Sequence, residues 1–300
     1  FSSRRRHTRY ISVTGVQTCA LPISRLTAQK LTDELKQQVI VDNRAGGGGN
    51  IAVEIVARSS PDGYTLLMGS NGTNAINPGL YPKLPVDPAR DLAAIGMVAS
   101  SPMILVTHPS VTANSIRELV VLAKAKPGSI NFASSGSGST AHLSSELFKS
   151  MAGVNLVHIP YKGAGPALTD LVAGQVQIIF TGISSTLPYV KSSRLKALGV
   201  SSEKRAPFAP DIPAIAEAAV PGFAATGWYG LLGPHGLPQP VVAALDQTMA
   251  KIAADREFNE RCATVGVVPL KGSPKQFAAF IQAELAKWGK VVRESGARID

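Results

Sequence analysis

The stretch INFASSGSGSTAHLSSELFKSM (130–151) carries the pattern that decides the fold. It begins with a short apolar run typical of a buried strand, crosses a loop of serines and glycines, and continues with apolar residues at helical spacing. The stretches GSNGTNA (69–75) and KGAGPA (162–167) follow strand-like runs in the same way. Such loops put backbone N–H groups at the carboxyl ends of strands, where open α/β sheets bind ligands. A helix N-terminus there stabilises a carboxylate without a buried basic side chain.

Strand-like and helical patterns alternate outward from these loops. Strands are predicted at 38–42, 64–70, 130–135, 156–159, 176–180 and 195–201, and helices at 26–35, 51–58, 115–125, 141–151, 166–172, 212–219, 240–255 and 274–292. The segment 71–85 is interpreted as a polar loop. Strands separated by helices predict the α/β class, with two parallel-rich sheets flanked by helices.

Two long apolar runs, 94–107 and 222–234, bracket a middle block that has its own alternation of strands and helices. This order predicts that the chain leaves one α/β lobe, builds a second, and returns. We therefore expect a first lobe made of 25–102 and 226–300, a second lobe made of 103–225, two crossovers, and a cleft between the lobes.

Composition and charge exclude several classes of protein. The chain has 300 residues, of which 45% are hydrophobic and 17% charged, which argues against intrinsic disorder. No uninterrupted apolar run reaches the roughly 18 residues that a membrane-spanning helix needs. The net charge is +10, and subtracting the four arginines at positions 4, 5, 6 and 9 leaves +6 for the chain from Arg25 onward. These charges are thinly spread among few aromatic residues, so no nucleic-acid partner is predicted.

The first 24 residues differ in character from the rest of the chain. FSSRRRHTRYISVTGVQTCALPIS starts with a basic region, but polar residues interrupt its apolar part, as is unusual for a signal peptide. The segment also resembles translated adapter sequence fused to truncated reading frames. We expect 1–24 to be a foreign or disordered leader outside the fold, with no functional signal peptide; the alternative is a signal-like segment with Cys19 as a lipid acceptor. Cys262 is then a structural thiol.

Catalytic and metal-binding patterns are weak. None of the five histidines has a partner at a metal-ligand spacing, and two cysteines cannot form a four-ligand zinc site. Ser137 and His142 suggest a small α/β hydrolase or transferase, whereas the alternative is that Ser139 or Thr140 caps the helix carrying His142. AGGGGN (45–50) is either a phosphate cradle or a tight turn with Asn50 as N-cap. We expect no catalytic residue, metal or cofactor, because three ligand-type loops without a nucleophile favour binding over catalysis.

Several long motifs, in the right order, resemble one family. The matching stretches are NRAGGGGNIAVE (43–54), PDGYTLLMGSNGTNAINPGLYPKLPVDP (61–88), SSGSGSTAHLSSELFKSMAG (134–153), VHIPYKGAGPALTDLVAGQV (157–176), LKALGVSSEKRAP (195–207), GWYGLLGP (227–234) and PKQFAAFIQAELAKWGKVV (274–292). Over 25–300 the chain is similar to the extracytoplasmic solute receptors of tripartite tricarboxylate transporters, the Bug-type receptors. The resemblance implies a type II-like periplasmic binding protein fold. Its lobes close like a Venus flytrap on a small organic carboxylate.

The resemblance also implies partners, location and site residues. It implies delivery of solute to the permease subunits of the transporter, no chemistry of its own, a periplasmic location and a monomeric state. A receptor that feeds a membrane sensor is the open alternative. The implied ligand contacts are Ser70, Asn71 and Thr73 in the first lobe, and Ser135, Gly136, Thr140, Tyr161, Gly163, Ala164, Gly165 and Thr181 in the second.

Two departures from the family pattern affect the expected site. The family begins with a strand and a ligand-gripping loop, whereas this chain joins the pattern near Arg25. We therefore expect that strand and loop to be missing, with Tyr10–Val16 at most imitating the strand. Thr181 stands where the family often has Asp, which favours ligands without an amino group.

Overall fold

The computed structural model describes residues 8–14, 20–44 and 46–299. Its contacts divide the chain into two units. The first unit comprises 1–100 and 228–290, and the second comprises 101–227 and 291–300. The last ten residues, which we had placed in the first lobe, thus belong to the second unit.

The first unit is built from the following helices and strands: β1 (Thr8–Thr14), α1 (Ala20–Leu35), β2 (Gln38–Arg44), a 3-10 turn (Gly47–Gly49), α2 (Asn50–Ala57), β3 (Thr65–Ser70), a π-helical turn (Gly72–Ile76), α3 (Asn77–Leu80), β4 (Leu92–Ser101), and, after the second unit, β10 (Gly227–Pro234), α9 (Gln239–Ala254), α10 (Arg256–Thr264), β11 (Val268–Pro269) and α11 (Pro274–Ser295). The segment 71–85 is therefore not a plain loop: its first part is helical. The end of α11, from Val291 onward, belongs to the second unit.

The strands of the first unit form a six-stranded sheet in the order β11-β4-β10-β3-β1-β2. β1 is parallel to both of its neighbours, whereas β10 runs antiparallel to β3, with Gly230 opposite Gly69. The carboxyl ends of β2, β1 and β3 consequently meet at one edge of this sheet. β3 is an apolar run buried on both faces, as is typical of a central strand between helical layers.

The expectation that 1–24 lies outside the fold is wrong for the part that the structure describes. Residues 8–14 pair with β2 along their whole length and with β3 on the other side, so this segment forms a strand of the first unit's sheet, where we expected a strand to be missing. The polar residues that argued against it are of kinds that strands accept, since TRYISVT is rich in β-branched and aromatic residues. The expectations about a missing ligand-gripping loop and about Cys19 concern residues 15–19, which lie outside the described residues.

Helix α1 also begins earlier than predicted, at Ala20. Ser24 and Thr27 lie on its buried face, where their hydroxyls donate to the carbonyl oxygens of Ala20 and Ile23 at 2.6 and 2.8 Å. A buried hydroxyl satisfied in this way carries little penalty. Ser24 and Thr27 are therefore part of the buried face of α1, although their side chains are polar.

The second unit contains β5 (Met103–Thr107), α4 (Ile116–Ala125), β6 (Asn131–Ser134), α5 (Thr140–Ala152), β7 (Val157–Pro160), α6 (Ala164–Val172), β8 (Ile178–Gly182), α7 (Ile183–Lys191), β9 (Lys196–Val200) and α8 (Ile215–Ala218). Its five-stranded sheet has the order β7-β6-β8-β5-β9. β6 is parallel to β7 and β8, whereas β5 is antiparallel to β8 and β9. The predicted α/β class is confirmed, but both sheets are mixed rather than parallel-rich, because each contains antiparallel as well as parallel neighbours.

The apolar run 94–107 contains two strands that belong to different sheets. β4 ends at Ser101 and β5 begins at Met103, so the break falls on Pro102. Proline has no N–H to donate to a sheet, and it ends the pairing on both sides. The chain passes from the first unit to the second at this point.

Each unit has its own apolar core. In the first, α1, β3, β4, β10, α9 and α10 contribute to one cluster that includes Ile23, Leu31, Ile95, Leu231 and Cys262. Burial raises the pKa of the Cys262 thiol to about 12, so it stays protonated and behaves as an apolar side chain. In the second, Phe148, Phe180 and Phe223 pack with ring centroids 5.9–6.2 Å apart. None of the helices in the described ranges is long and apolar enough to cross a membrane.

Candidate functional site

The carboxyl ends of three parallel strands form one edge of the second unit's sheet. β7, β6 and β8 lie side by side, and each leads through a short loop or directly into a helix: β7 into α6, β6 into α5, and β8 into α7. Every residue predicted for the second lobe lies at this edge: Ser135, Gly136, Thr140, Tyr161, Gly163, Ala164, Gly165 and Thr181. The sheet topology thus brings together positions spread over nearly fifty residues of sequence.

The loop after β6 is shaped by hydrogen bonds within it. The buried Ser134 hydroxyl lies 3.1 Å from the Gly136 carbonyl oxygen, and the Gly136 N–H donates to the same hydroxyl at 3.2 Å. Gly136 has φ 126°, a conformation that L side chains rarely adopt, and a Cβ there would lie 3.4 Å from the Tyr161 carbonyl oxygen. A glycine is therefore required at this position.

Ser139 is the N-cap of α5. Its hydroxyl accepts from the His142 N–H at 3.2 Å, so of the two predicted caps Ser139 is confirmed and Thr140 is the first helical residue. The Ser137–His142 pair has no catalytic geometry, because His142 Nδ1 accepts the Gly138 N–H at 3.0 Å. Within the described residues, Ser137 is exposed and makes no hydrogen bond to His142.

Replacing Ser139 by alanine is expected to lower the free energy of unfolding by about 1 kcal/mol, because the first turn of α5 loses its cap. Ser137→Ala is the matched control, because it removes the same hydroxyl oxygen from an exposed residue two positions earlier in the chain. The free energy of unfolding is expected to change by less than about 0.5 kcal/mol in this variant. Urea unfolding of both variants measures this. Equal losses in the two variants would contradict the cap assignment.

The loop after β7 leaves the N-terminus of α6 open. Its N-cap is Gly163, which has φ 116° and no side chain to accept from the first helical N–H groups. A Cβ added at Gly163 or Gly165 would meet no atom within 4 Å, so both glycines border free space. The Tyr161 N–H donates to the Ser134 carbonyl oxygen at 3.1 Å, which ties this loop to the neighbouring one.

The Tyr161 hydroxyl donates to Asp170 Oδ2 at 2.8 Å. Partial burial, together with this hydrogen bond, raises the pKa of Tyr161, so the hydroxyl stays protonated. Thr181 lies at the end of β8 and is buried, directly before Gly182, the N-cap of α7. The edge therefore offers hydroxyls and backbone N–H groups, without a Lys or Arg among the predicted contacts.

In the first unit, the predicted residues lie where β3 turns into the π-helical segment. The Asn77 N–H donates to the Gly72 carbonyl oxygen, five residues back, which gives the turn its wider winding. Ser70 and Thr73 are buried, and the Thr73 hydroxyl donates to Asn74 Oδ1 at 2.7 Å. Asn74 Oδ1 also accepts from the Ser70 N–H at 3.2 Å. Asn74, which the sequence did not single out, thus holds this turn together.

Asn71 differs from its neighbours. Its side chain is 0% exposed, yet neither its Oδ1 nor its Nδ2 has a hydrogen-bond partner among the described residues. A buried amide without partners costs about 1–3 kcal/mol, and native structures rarely keep one without a reason. The Asn71 amide is therefore able to form hydrogen bonds with a group from outside the protein.

The glycine-rich stretch forms a 3-10 turn before α2. The prediction that Asn50 is the N-cap is wrong: Gly49 is the N-cap, and the Asn50 side chain accepts from Asn77 Nδ2 at 2.8 Å. The same Asn77 Nδ2 donates to the Gly48 carbonyl oxygen at 3.0 Å. The turn is thus braced against the segment that follows β3. In the described part of the chain, no three His, Cys, Asp or Glu side chains are grouped so that they could hold a metal ion.

Sequence reasoning missed two residues behind the β6 loop, Ser134 and His158. His158 Nε2 lies 2.7 Å from Ser134 Oγ, and its ring stacks on that of His142. Nothing in the spacing of His142 and His158 indicates this contact, because it depends on β7 lying beside β6. The one local signal that could have indicated Ser134 is its position, as a polar residue at the end of an apolar strand.

Comparison with known proteins gives a consistent result. Residues 23–297 match the family described as "Tripartite tricarboxylate transporter family receptor". The protein BugT of Bordetella pertussis is 36% identical over 278 residues, which are 92% of this chain and 85% of BugT. The solved structure of R. palustris Rpa4515 with adipate is 32% identical, with a TM-score of 0.82, and covers 98% of this chain and 100% of that one.

A second solved structure, MatC from Rhodopseudomonas palustris with bound malate, is 28% identical, with a TM-score of 0.76. The match covers 95% of this chain and 98% of the MatC chain. The two-lobed periplasmic binding protein fold expected from the sequence is confirmed by these structures. The relatives match over nearly the whole described chain, including both sheet edges.

Proposed function

The chain belongs to the tripartite tricarboxylate transporter receptor family, and from that premise we propose that it captures a small organic carboxylate between its two lobes and delivers it to the permease of such a transporter. A periplasmic location is part of the same proposal, since the family's receptors work outside the cytoplasmic membrane. Proteins similar to this chain were solved with adipate and with malate. Dicarboxylates of this size are therefore the first ligands to test.

The contacts proposed in the second unit are neutral hydrogen-bond donors, namely hydroxyls and backbone N–H groups. The open N-terminus of α6 presents N–H groups and the positive end of the helix dipole, which stabilises a carboxylate. The contacts proposed in this unit are Ser135, Gly136, Thr140, Tyr161, Gly163, Ala164, Gly165 and Thr181. Backbone amides and hydroxyls are expected to hold the carboxylate, in part through water.

The observation that carries the proposal is the unpartnered Asn71. Its carboxamide offers one pair of donors and one acceptor, and neither has a hydrogen-bond partner in the part of the chain that the structure describes. The donor suits a carboxylate oxygen, and the acceptor suits a hydroxyl or a bridging water. Ser70 and Thr73, on the same turn, complete the contacts proposed for the first unit.

A thermal melt of the full chain, alone and with a panel of di- and tricarboxylates, tests the proposal. A ligand at 100 times its dissociation constant should add about 2.7 kcal/mol of stability. We expect a rise in melting temperature with at least one carboxylate and none with matched uncharged diols. A panel without any shift would contradict carboxylate binding. Co-purification with permease subunits tests delivery separately.

Replacing Asn71 by leucine separates binding from stability. Leucine has nearly the same shape but no polar atoms, so the unliganded protein is expected to keep its melting temperature or gain a few degrees. The dissociation constant of the bound carboxylate is expected to rise at least about tenfold, because a charge-assisted hydrogen bond is worth about 1.5–3 kcal/mol. Calorimetric titration measures the affinity, and differential scanning fluorimetry measures the stability.

Asn74→Leu is the matched control in the same turn. Asn74 Oδ1 accepts two hydrogen bonds from the protein, so this variant is expected to lose about 1–3 kcal/mol of stability. If Asn71→Leu destabilises the unliganded protein as much as Asn74→Leu does, Asn71 has a structural role and its assignment as a ligand contact is wrong.

A further inference from the structure

Three aromatic rings are stacked behind the loop 135–139: Phe132, His158 and His142, here called the histidine stack. We propose that the histidine stack is a pH-sensitive support of this loop: it holds the loop while both imidazoles are neutral and releases it, together with any bound ligand, when they are protonated. The inference rests on the proposed function in one respect, namely that this loop contacts the ligand. It assigns His142 and His158 as positioning residues, since neither is among the proposed ligand contacts.

The rings of the histidine stack are nearly parallel. The centroids of His142 and His158 are 3.8 Å apart with an interplanar angle of 8°, and those of His158 and Phe132 are 4.8 Å apart with an angle of 18°. His142 is buried, at 6% exposure. Two cationic rings at this distance would repel each other strongly in a poorly solvated place. The geometry therefore accommodates neutral rings.

His142 holds the loop directly and only in its neutral form. Its Nδ1 accepts the Gly138 N–H at 3.0 Å. In a protonated imidazole both ring nitrogens are donors, so Nδ1–H would face the Gly138 N–H. Protonation of His142 consequently removes this hydrogen bond and leaves two donors opposed.

His158 acts on the other end of the loop. Its Nε2 lies 2.7 Å from the Ser134 hydroxyl, which accepts the Gly136 N–H. When the single hydroxyl proton is donated to the Gly136 carbonyl oxygen, at 3.1 Å, His158 Nε2 is the donor to Ser134. The two histidines thus hold Gly136 through Ser134 and Gly138 directly. Because the rings are in contact, a charge on either one affects both attachments.

The charged groups next to the stack lie on α5, and acidic groups of α11 and α6 contact residues near it. On α5, Lys149 lies 5.5 Å from the Phe132 ring centroid and pairs with Glu146 at 2.8 Å. Glu146 Oε1 is 3.8 Å from His142 Nε2. On α11, Glu294 lines a cavity of about 400 Å³ together with Glu146 and Lys149, and on α6 Asp170 accepts from the Tyr161 hydroxyl. Lys149 adds positive charge near the rings, and Glu146 compensates part of it.

Burial is the main cause that lowers the pKa of both histidines, to about 4, and the charge of Lys149 adds to it; for His142, the neighbouring His158 contributes as well. Since the ordinary histidine pKa is 6.5, both rings are neutral in the folded protein at pH 7. An unfolded chain takes up these protons first, so stability is fully present above pH 6.5 and is lost as the pH falls through about 4. Release of the loop is expected in the lower part of this window.

The test compares the full chain with the variant His142→Asn/His158→Gln. Asn Oδ1 occupies the place of Nδ1, and Gln reaches the place of Nε2, so both hydrogen bonds can form but neither side chain titrates. His142→Leu removes the acceptor for the Gly138 N–H, and His235→Asn replaces an exposed histidine of the first unit as the control. The first readout is the amide resonance of Gly138 from pH 7.5 to 3.5, which needs no ligand.

We expect the Gly138 resonance of the wild type to shift with a midpoint near pH 4, in step with the His142 ring signals, and to stay in place in the double variant. In His142→Leu it should occupy the released position at every pH. His235→Asn should behave like the wild type. If the resonance does not move while His142 titrates, or if the double variant shows the wild-type profile, the inference is overturned.

The second readout is adipate affinity. Because adipate itself titrates in this range, the quantity compared is the ratio of wild-type to double-variant dissociation constants at each pH. Relative to its value at pH 7, this ratio is expected to rise about twofold at pH 4 and about fourfold at pH 3.5, if only the neutral stack supports binding. A constant ratio would contradict the coupling to ligand. If the wild type binds none of the di- and tricarboxylates of the panel at pH 7, the proposed function is contradicted, while the Gly138 resonance still decides the inference about the loop.

Discussion

Replacing Glu284 by alanine is expected to lower the free energy of unfolding by about 3–5 kcal/mol, because it leaves two buried indole N–H groups without an acceptor. Glu284, on α11, is 6% exposed. Its Oε2 accepts from Trp228 Nε1 at 3.2 Å and from Trp288 Nε1 at 2.9 Å. Lys287 forms an ion pair with the same carboxylate.

The loss is large because both tryptophans belong to the core of the first unit. Trp228 packs edge-to-face against Phe277 and Phe280, with ring centroids 5.5 and 5.7 Å apart. The Trp228 indole cannot turn toward water without leaving these contacts, and the Trp288 side chain is completely buried as well. The carboxylate therefore serves as the shared acceptor that allows two tryptophans to be buried on one helix and its neighbouring strand.

Chemical denaturation at pH 7 measures the effect, with two controls. Glu284→Gln keeps the shape and one acceptor oxygen and should lose clearly less than the alanine variant. Glu260→Ala removes an exposed carboxylate that pairs with Arg256 on α10, for which a change within about 0.5 kcal/mol is expected. A loss below about 1 kcal/mol in Glu284→Ala would mean that the indoles find other acceptors.

A methyl group at Gly230 is expected to have an effect of similar size. The Cβ of Gly230→Ala would lie 2.1 Å from Phe277 Cζ, and the Phe277 ring is completely buried. Ring and strand have to move apart, which typically costs about 1–3 kcal/mol and occasionally more. We expect a loss of about 3 kcal/mol in denaturant unfolding, since the displaced ring also packs on Trp228.

The reason is tested by a double variant. Phe277→Leu removes the ring atoms that the new methyl group meets, so Gly230→Ala/Phe277→Leu should be more stable than the sum of the single losses predicts, by at least about 1 kcal/mol. Gly96→Ala, on β4 of the same sheet, is the control, because its Cβ would lie 3.4 Å from Met249 Cβ in ordinary contact. Strict additivity of the two changes would rule out the proposed clash.

Local patterns in the sequence predicted much of this architecture. The helices of both units and most of the strands lie within a few residues of their predicted positions, because hydrophobic periodicity depends only on neighbouring residues. The Ser139 cap is local in the same sense. Three of the described helices were missed. The four-residue α3 lies in the segment interpreted as a loop, α7 carries Pro188, and α10 follows α9 directly at Asp255, so none of them has the long, uninterrupted periodicity on which prediction relies.

The segment 8–14 shows where local reading fails. Its composition differs from the rest of the chain, which favours the interpretation that it is foreign to the fold. Its place between β2 and β3 depends on backbone hydrogen bonds to strands that lie 30 and 55 residues away in sequence. Whether a segment with suitable residues becomes a strand depends on the neighbouring strands that it meets, so a local comparison of composition does not predict it.

The sequence by itself determined the α/β class, the strand-end loops and the family, because each is written in residues close together along the chain. Only the tertiary structure decided that both polar atoms of the Asn71 side chain lack a partner among the described residues while Asn74 Oδ1 accepts two hydrogen bonds. It also decided that His142 and His158 are stacked and that Glu284 receives two indoles. The reason is physical. Whether a buried polar group is satisfied depends on atoms that other elements bring to it, and no spacing within one segment contains that information.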